Sequence, residues 1–149
     1  VHTVEDLRAE YQKMLYQNNL NTAVMNYLLA NSTFKDLPKE VTDYQVNQCL
    51  NYYYTMAQYY GYDLDSFLQA AAGYNSADDL LDAMSDSITE YAREALLYQA
   101  VAEAMSIAPT QEQIDTYSAY TETYGANYCT MVALMDAVSK ALTTGAQVK

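Results

Sequence analysis

Four aspartates come closest, by type and spacing, to a catalytic or metal-binding arrangement in this sequence: Asp78, Asp79, Asp82 and Asp86. On a helix, spacings of three and four residues place carboxylates on one face, where a pair could transfer a proton or bind a hard cation. However, acidic residues in the first turn of a helix also stabilise it through the helix dipole. The alternating Asp positions and central Gly of an EF-hand loop are absent. We therefore interpret the run as a helix start and predict no metal site.

The sequence also lacks the residues that a nucleophilic catalytic site requires. The only histidine, His2, lies at the end of the chain, so no internal imidazole is present to activate a Ser, Thr or Cys. No GxSxG, P-loop, HExxH or GxGxxG motif occurs. Cys49 and Cys129 have neither metal-ligand spacing nor a CxxC motif, and whether they form a disulfide is left open. The sequence predicts a protein that is not an enzyme and that carries no cofactor.

Tyrosine is the unusual residue in the composition. The chain has 17 Tyr, two Phe, no Trp and seven Met. A Tyr side chain is apolar but also forms hydrogen bonds, so it can remain half exposed at little cost. Flexible Met side chains suit a surface that accepts varied partners. Either these residues form an adhesive surface, or most of them close the packing between helices.

The charge balance limits the partners. Seven Lys and Arg against 19 Asp and Glu give a net charge of −12. Binding to a polyanion requires a basic patch, so we expect no affinity for nucleic acid, for ribosomes or for anionic membrane surfaces. No apolar run approaches the roughly 20 residues of a membrane span, and no signal peptide is visible. Because the chain starts abruptly at Val1, we expect it to be part of a longer protein.

Helices are the elements that must position these side chains. With four Gly and two Pro in 149 residues, and 51% hydrophobic residues, the chain should form one all-α domain. Capping boxes, Pro and Gly predict six helices without a strand. Their approximate spans are 3–32, 38–61, 63–72, 76–108, 110–125 and 126–143.

Two of these helices carry apolar side chains that need a partner surface, and the second carries them around more of its circumference than one neighbour can cover. In the first, Val4, Leu7, Tyr11 and Met14 recur at spacings of three and four, and this stripe needs a partner. In the second, consecutive tyrosines at 52, 53 and 54 are separated by steps of 100° around the axis. At least one tyrosine between positions 52 and 62 should therefore stay accessible.

Several stretches in this order resemble the C-terminal region of bacterial trigger factor, together with the long helix that links it to the preceding domain. The segments 3–8 and 23–29 resemble the two ends of that linker helix, and 61–68 resembles the family's glycine, cap and aromatic-Leu pair. The most specific stretch, 92–112, contains Ala100-Val101-Ala102, Ile107 and the cap Thr110-Gln111-Glu112-Gln113. Tyr124-Gly125 and Lys140-Ala141-Leu142 complete the pattern. The helical chaperone part of SurA-type periplasmic folding factors is similar.

The resemblance implies an elongated, trigger-factor-like domain with two helical arms that form a cradle. It implies a linker helix over 1–36 and arms and body over 37–149. Unfolded or nascent polypeptides would be held there without ATP, and the chain could also form a homodimer. The expected client-binding residues lie on the second helix, with second candidates on the facing arm: Tyr52, Tyr53, Tyr54, Met56, Tyr59, Tyr60 and Tyr62, then Tyr117, Tyr120, Tyr124 and Tyr128.

Two features of a complete trigger factor are missing from these residues: the Gly-Phe-Arg-type ribosome-docking loop and the FKBP-like β-domain, to which prolyl isomerase activity would belong. The composition, rich in Tyr, Asn and Asp and poor in Lys, looks like that of an exported, lipid-anchored relative on the surface of a Gram-positive bacterium. We therefore favour an extracytoplasmic location over a cytoplasmic one. The alternative function is a helical interaction or dimerisation module of a cell-surface lipoprotein with one dedicated partner.

Overall fold

The computed structural model describes residues 3–145, and every regular element within them is a helix. His2 lies outside the described residues. The all-α prediction is confirmed. In chain order the elements are α1 (Val4–Asn31), α2 (Lys39–Tyr59), α3 (Leu64–Phe67) with a π-helical turn (Leu68–Ala72), α4 (Ala77–Met105), α5 (Gln111–Asp115), a 3₁₀ turn (Ser118–Tyr120), α6 (Thr121–Tyr124) and α7 (Ala126–Gly145).

The chain divides into two compact units. Unit 1 comprises the described residues of Val1–Ser32 and Leu96–Lys149, and unit 2 comprises Thr33–Ala95. Helix α4 begins in unit 2 and ends in unit 1. The prediction of a single domain over residues 1–149, with a linker helix over 1–36, stays a prediction.

Two helices begin at the capping boxes predicted from the sequence. The Thr3 hydroxyl accepts a hydrogen bond from the Asp6 N–H at 3.1 Å, and the Asp6 carboxylate accepts one from the Thr3 N–H at 3.0 Å. At the start of α5, Thr110 and Gln113 form the same reciprocal pair at 3.3 and 2.8 Å. Each pair satisfies two backbone donors that the first turn of a helix leaves free, which is why the local sequence is sufficient to set these starts.

Helix α2 ends where its glycine predicts. Gly61 adopts a left-handed conformation with φ of 77°, which costs glycine little because it has no Cβ. The Tyr62 N–H donates to the Ala57 carbonyl at 2.9 Å, and the Gly61 N–H donates to the Gln58 carbonyl at 3.1 Å. These two bonds form a Schellman motif, and they fix the direction in which Tyr62 leaves the helix.

The segment 110–125 is not the single helix that the sequence predicted. It consists of α5, the 3₁₀ turn and α6. The interruption falls at Thr116 and Tyr117, and the Tyr117 carbonyl accepts a hydrogen bond from the Cys129 thiol on α7 at 3.1 Å. The same carbonyl also accepts the Tyr120 N–H at 3.0 Å, and the Tyr117 N–H donates to the Ile114 carbonyl at 3.0 Å. The backbone around Tyr117 therefore forms i to i+3 bonds of the 3₁₀ type, and the thiol bond connects this break to α7.

Each unit has its own buried core. In unit 1 the buried apolar side chains come from α1, α4 and α7, and α1 packs against α7. In unit 2 they come from α2, from α3 with its π turn, and from the first part of α4. Unit 1 buries Met25, Leu97, Tyr98, Ala102, Cys129, Ala133 and Val138; unit 2 buries Ala57, Phe67, Leu68, Leu80, Ile88 and Ala92. Both cysteines are free thiols.

Candidate functional site

The predicted tyrosines of α2 lie on the last two turns of the helix and on the turn after it, and most of them face solvent. Tyr59 is 80% exposed, and four more are about half exposed or more: Tyr52, Tyr54, Tyr60 and Tyr62. Tyr53 and Met56 are half-buried. The prediction that at least one tyrosine between positions 52 and 62 stays accessible is confirmed.

The exposed rings are supported by aromatic contacts within unit 2. Tyr60 stacks on the buried ring of Phe67 with centroids 6.0 Å apart, and Tyr59 meets Tyr60 edge-on at 5.1 Å. Offset-stacked and edge-to-face pairs of this kind are favourable beyond the area that they bury. Tyr59 is therefore an exposed ring that packs against Tyr60, which in turn packs against the buried Phe67 of α3.

Tyr53, earlier on α2, also takes part in aromatic contacts. Tyr53 lies edge-on between Tyr52, at 5.3 Å, and Tyr74, at 6.1 Å. Burial, and then the neighbouring Tyr74 hydroxyl, raise the pKa of Tyr53. Phe67 and Tyr74 were not among the predicted site residues, because their role depends on a tertiary contact with α2. The only local signal is that Tyr74 directly follows Gly73, where the helix ends. We call Tyr52, Tyr54, Tyr59, Tyr60 and Tyr62 the α2 tyrosine surface.

The second candidate set forms a compact cluster in unit 1. The Tyr124 and Tyr128 rings have centroids 4.7 Å apart, and Tyr120 lies 6.4 and 6.3 Å from them. Tyr120 is exposed, whereas Tyr124 and Tyr128 are half-buried. Burial raises the pKa of Tyr128, with further contributions from Tyr124 and Tyr120. Tyr117 is outside this ring cluster and contributes its carbonyl to the bond from Cys129.

The apolar stripe of α1 is exposed although its residues are not among the predicted client-binding residues. Every residue from Thr3 to Asn19 is exposed. The side chains of the stripe, Val4, Leu7, Tyr11 and Met14, are 49–63% exposed, and Leu15 beside them is 41% exposed. The second half of the helix differs, because Met25 is buried and α1 packs against α7. Helix α1 therefore packs against α7 through its second half, while the stripe on its first half is exposed.

The acidic run of α4 has a structural role. The Ser76 hydroxyl accepts a hydrogen bond from the Asp79 N–H at 3.1 Å, and the Asp79 carboxylate accepts one from the Asn75 N–H at 3.2 Å. These bonds cap the helix, as the interpretation of the aspartates as a helix start required. Within residues 3–145, no group of three His, Cys, Asp or Glu residues could hold a metal ion.

Negative charge is concentrated in unit 2. Residues 33–95 contain eleven Asp and Glu but three Lys and Arg. Of the three cations, Lys39 forms an ion pair with Asp43, and the Arg93 guanidinium lies 5.9 Å from the centre of the Phe34 ring. The α2 tyrosine surface therefore belongs to a strongly acidic unit. No helix in the described part of the chain is long and apolar enough to cross a membrane.

Comparison with known proteins assigns the family. The family model described as "Bacterial trigger factor protein (TF) C-terminus" matches residues 3–142. Among similar proteins, the trigger factors of Streptococcus pyogenes serotypes M1 and M49 (strain NZ131) are 25% identical over 122 residues, which cover 77% of this chain and 28% of each relative. The trigger factor of serotype M4 (strain MGAS10750) is equally similar, with 26% of its length covered.

The chain thus spans little more than a quarter of the length of the curated relatives that it matches. No solved structure gives a significant match. The family match covers the described helices from the first residue of α1 to near the end of α7 and agrees with the all-α architecture. This chain belongs to the family of trigger factor C-terminal domains, a family of chaperone modules.

Proposed function

We propose that this chain holds unfolded or nascent polypeptides without ATP, and that the α2 tyrosine surface is its main client-binding site. The observation that carries the proposal is the exposure of five tyrosines within eleven residues of one acidic unit. The family supports a chaperone-type function in general, and the site and the mode of binding are our inference.

The chemistry of the surface suits sequence-tolerant binding. A tyrosine ring that buries roughly 100 Å² on contact with a client contributes about 2.5 kcal/mol before ordering costs. Because association itself costs several kcal/mol, a client must engage several rings at once. This requirement favours long, unfolded apolar segments over folded proteins, and such contacts reverse without an energy source.

Suppression of aggregation tests the proposal directly. A chemically denatured client is diluted into buffer with the chain, and light scattering is followed. The triple variant Tyr54→Ser, Tyr59→Ser, Tyr62→Ser should lose most of the suppression. Its helical circular dichroism should not change, because these side chains are exposed.

Three exposed tyrosines that do not belong to the α2 tyrosine surface provide a matched control. The variant Tyr16→Ser, Tyr27→Ser, Tyr91→Ser removes the same number of rings, which are 55–67% exposed, and should suppress aggregation as the unchanged chain does. If the α2 variant retains full suppression, the main site lies elsewhere, and the Tyr120–Tyr124–Tyr128 cluster is the next surface to substitute. If the α2 variant unfolds, those rings are structural and the proposal is wrong.

The second candidate function, an interaction module with one dedicated partner, is favoured by the exposed stripe of α1, which is only one helix wide. The breadth of binding separates the two functions. A holding chaperone suppresses the aggregation of several unrelated denatured proteins with similar stoichiometry, whereas an adaptor binds one folded partner and protects none of them.

The extracytoplasmic location remains part of the proposal, with the cytoplasm as the alternative. It is supported by the composition, rich in Tyr, Asn and Asp and poor in Lys. Fractionation of the native host, with detection of the protein in the membrane-anchored or the cytoplasmic fraction, distinguishes the two locations.

A further inference from the structure

We propose that Tyr124 and Tyr128 are a site of oxidative modification, at which a one-electron oxidant joins the two side chains as dityrosine. Their ring centroids are 4.7 Å apart, and the ring planes are inclined to each other by 31°. Tyr124 is the last residue of α6, and Tyr128 lies in the first turn of α7. The modification is therefore a covalent bond between two helices of unit 1, and it does not depend on client binding.

The geometry of this pair suits coupling between the rings. Dityrosine forms when two tyrosyl radicals bond through the ring carbons next to their hydroxyl groups, so the hydroxyl ends of the two rings must lie near each other. Burial is the main cause that raises the pKa of Tyr128, and Tyr124 is the next cause. Because this electrostatic contribution requires proximity, the two hydroxyls lie close together as well as the ring centres.

The tyrosine pairs of unit 2 do not offer this arrangement. Its three pairs meet edge-on, with ring planes at 87–90° and centroids 5.1–6.1 Å apart. An edge-on contact directs the rim of one ring at the face of the other, so the two coupling carbons are not side by side. Tyr60 does stack, but on Phe67, which has no hydroxyl. The ring geometry therefore favours coupling in unit 1.

Tyr120 provides the route by which an oxidant reaches the pair. Its side chain is 49% exposed, whereas Tyr124 and Tyr128 are half-buried. Its ring centre lies 6.4 and 6.3 Å from theirs, which is short enough for an electron to pass from either ring to a Tyr120 radical. These distances are longer than the 4.7 Å within the pair. Tyr120 therefore relays the oxidation, and the bond forms between Tyr124 and Tyr128.

The reaction balances with hydrogen peroxide and a haem peroxidase as the oxidant. Each of the two tyrosines loses one electron to the peroxidase and its phenolic proton to water, and becomes a phenoxyl radical. The radicals form one carbon–carbon bond, and the two hydrogens displaced from those carbons move to the phenoxyl oxygens, which restores both hydroxyls. In total two protons and two electrons leave the protein, and they reduce one hydrogen peroxide to two water molecules.

The bond reinforces a short, irregular part of unit 1. Helix α6 has four residues, and a helix of this length is not stable without tertiary contacts. A hydrogen bond of 3.4 Å between the Thr121 hydroxyl and the Cys129 thiol connects it to α7. A covalent connection between the same helices also restricts the unfolded chain, as a disulfide does, so the oxidised protein should melt at a higher temperature than the unmodified one.

Peptide mapping after mild oxidation tests the proposal. The whole 149-residue chain is treated at low concentration with peroxidase and limiting hydrogen peroxide, and the monomer is isolated. The monomer should lose the mass of two hydrogen atoms and gain dityrosine fluorescence, and mass spectrometry of its peptides should place the bond between Tyr124 and Tyr128. Tyr124→Phe and Tyr128→Phe should each abolish this bond, because a phenylalanine ring has no hydroxyl to oxidise. The matched control is Tyr59→Phe, which changes a ring that is 80% exposed and should leave the yield unchanged.

A comparison with the unfolded chain shows whether the fold directs the reaction. A photochemical one-electron oxidant, which does not depend on a folded enzyme, is applied in buffer and in urea, and the preference for Tyr124 and Tyr128 should be lost in urea. The mapping uses the unchanged chain, and circular dichroism checks that the variants are folded. A bond mapped to tyrosines of α2, no bond within the monomer, or equal yields at Tyr124 and Tyr128 in the folded and unfolded chains would each overturn the proposal. Oxidation should raise the melting temperature of the unchanged chain but not that of Tyr128→Phe, and an equal change in both would also overturn it.

Discussion

The Tyr98 hydroxyl on α4 lies 3.2 Å from the Ser139 hydroxyl on α7 and forms a hydrogen bond between the two helices of unit 1. Tyr98 is only 5% exposed, so its hydroxyl has little access to water. A buried polar group that loses its partner costs more than the bond itself contributes. This pair is therefore a specific polar contact between α4 and α7 in the interior of unit 1.

The first prediction concerns this bond. Tyr98→Phe removes the buried hydroxyl and should lower the free energy of unfolding by about 1 kcal/mol. Ser139→Ala leaves the Tyr98 hydroxyl without this partner and should cost at least as much. Because both substitutions remove the same bond, the double variant should be destabilised by less than the sum of the two single variants. Urea unfolding of all four proteins measures this difference, and strict additivity would show that the two hydroxyls do not interact in solution.

The second prediction uses the end of α4. Ser106 has φ of 54°, the only non-glycine residue with positive φ in the described part of the chain. Its N–H donates to the Glu103 carbonyl at 3.2 Å, and the Ile107 N–H donates to the Ala102 carbonyl at 2.8 Å. These bonds form the same Schellman motif that Gly61 closes on α2, but here a residue with a Cβ is in the left-handed position, which glycine prefers.

Ser106→Gly should therefore raise the free energy of unfolding by about 1 kcal/mol, since it relieves the left-handed strain. Ser85 is exposed inside the same helix, and Ser85→Gly should instead destabilise the chain by several tenths of a kcal/mol because glycine weakens a helix interior. Thermal unfolding followed by circular dichroism compares the two variants. A Ser106→Gly chain that melts below the unchanged one would contradict the assigned geometry.

The sequence predicts those features that depend on neighbouring residues. The capping boxes at Thr3 and Thr110, and the helix stop at Gly61, arise from side chains and backbone within a few positions, so their patterns are readable without the fold. The left-handed end at Ser106 was not predicted, because serine gives no such signal. The break near Tyr117 was also not predicted, since no Gly or Pro marks it in the sequence and the bond from the Cys129 thiol joins residues twelve positions apart.

The same distinction applies to the candidate site. That some tyrosine of α2 must be exposed follows from three consecutive rings around one helix. Which tyrosines are exposed does not follow, because Tyr53 is distinguished from Tyr52 and Tyr54 by its contact with Tyr74, and Tyr60 is supported by Phe67. The unpaired half of α1 gives the same pattern in sequence as the half that packs against α7. Periodicity shows that a face needs a partner but not whether the chain supplies it.

The third prediction concerns Glu94 on α4, where partial burial raises the pKa of the carboxyl. A carboxyl whose folded pKa lies above its unfolded value favours the protonated form in the fold. Its contribution to stability is present below the unfolded pKa and is lost as pH rises through the folded one. Glu94→Gln, a neutral side chain of the same shape, should therefore raise the melting temperature at pH 7.

The advantage of Glu94→Gln should shrink as pH falls below about 4, where the glutamate itself is neutral. The control is Glu90→Gln, one turn earlier on the same helix and exposed, which removes the same charge from a solvated position and should change the melting temperature less. Equal effects of the two substitutions at pH 7 would mean that general charge repulsion, and not burial of Glu94, is responsible.

The last prediction concerns the charge of the clients. Because the α2 tyrosine surface belongs to a unit with eleven acidic and three basic residues, it should bind basic unfolded segments more tightly than acidic ones of equal apolar content. Three fluorescent peptides with identical aromatic and aliphatic residues, separated by Lys, Glu or Ser, isolate the electrostatic part in an anisotropy titration. At low ionic strength the order of affinity should be Lys, then Ser, then Glu. The difference in affinity between the three peptides should disappear as salt approaches about 1 M, where the screening length falls to about 3 Å. The affinity of the Ser peptide should change little, because ring contacts do not depend on screening.

A single substitution tests the same charge effect. Asp65→Asn removes an exposed carboxylate three residues after Tyr62, and it should reduce the difference in affinity between the Lys and Glu peptides without changing the affinity of the Ser peptide. If the Lys and Glu peptides bind alike at low salt, the acidic residues contribute solubility alone and the tyrosine rings select clients by apolar surface only.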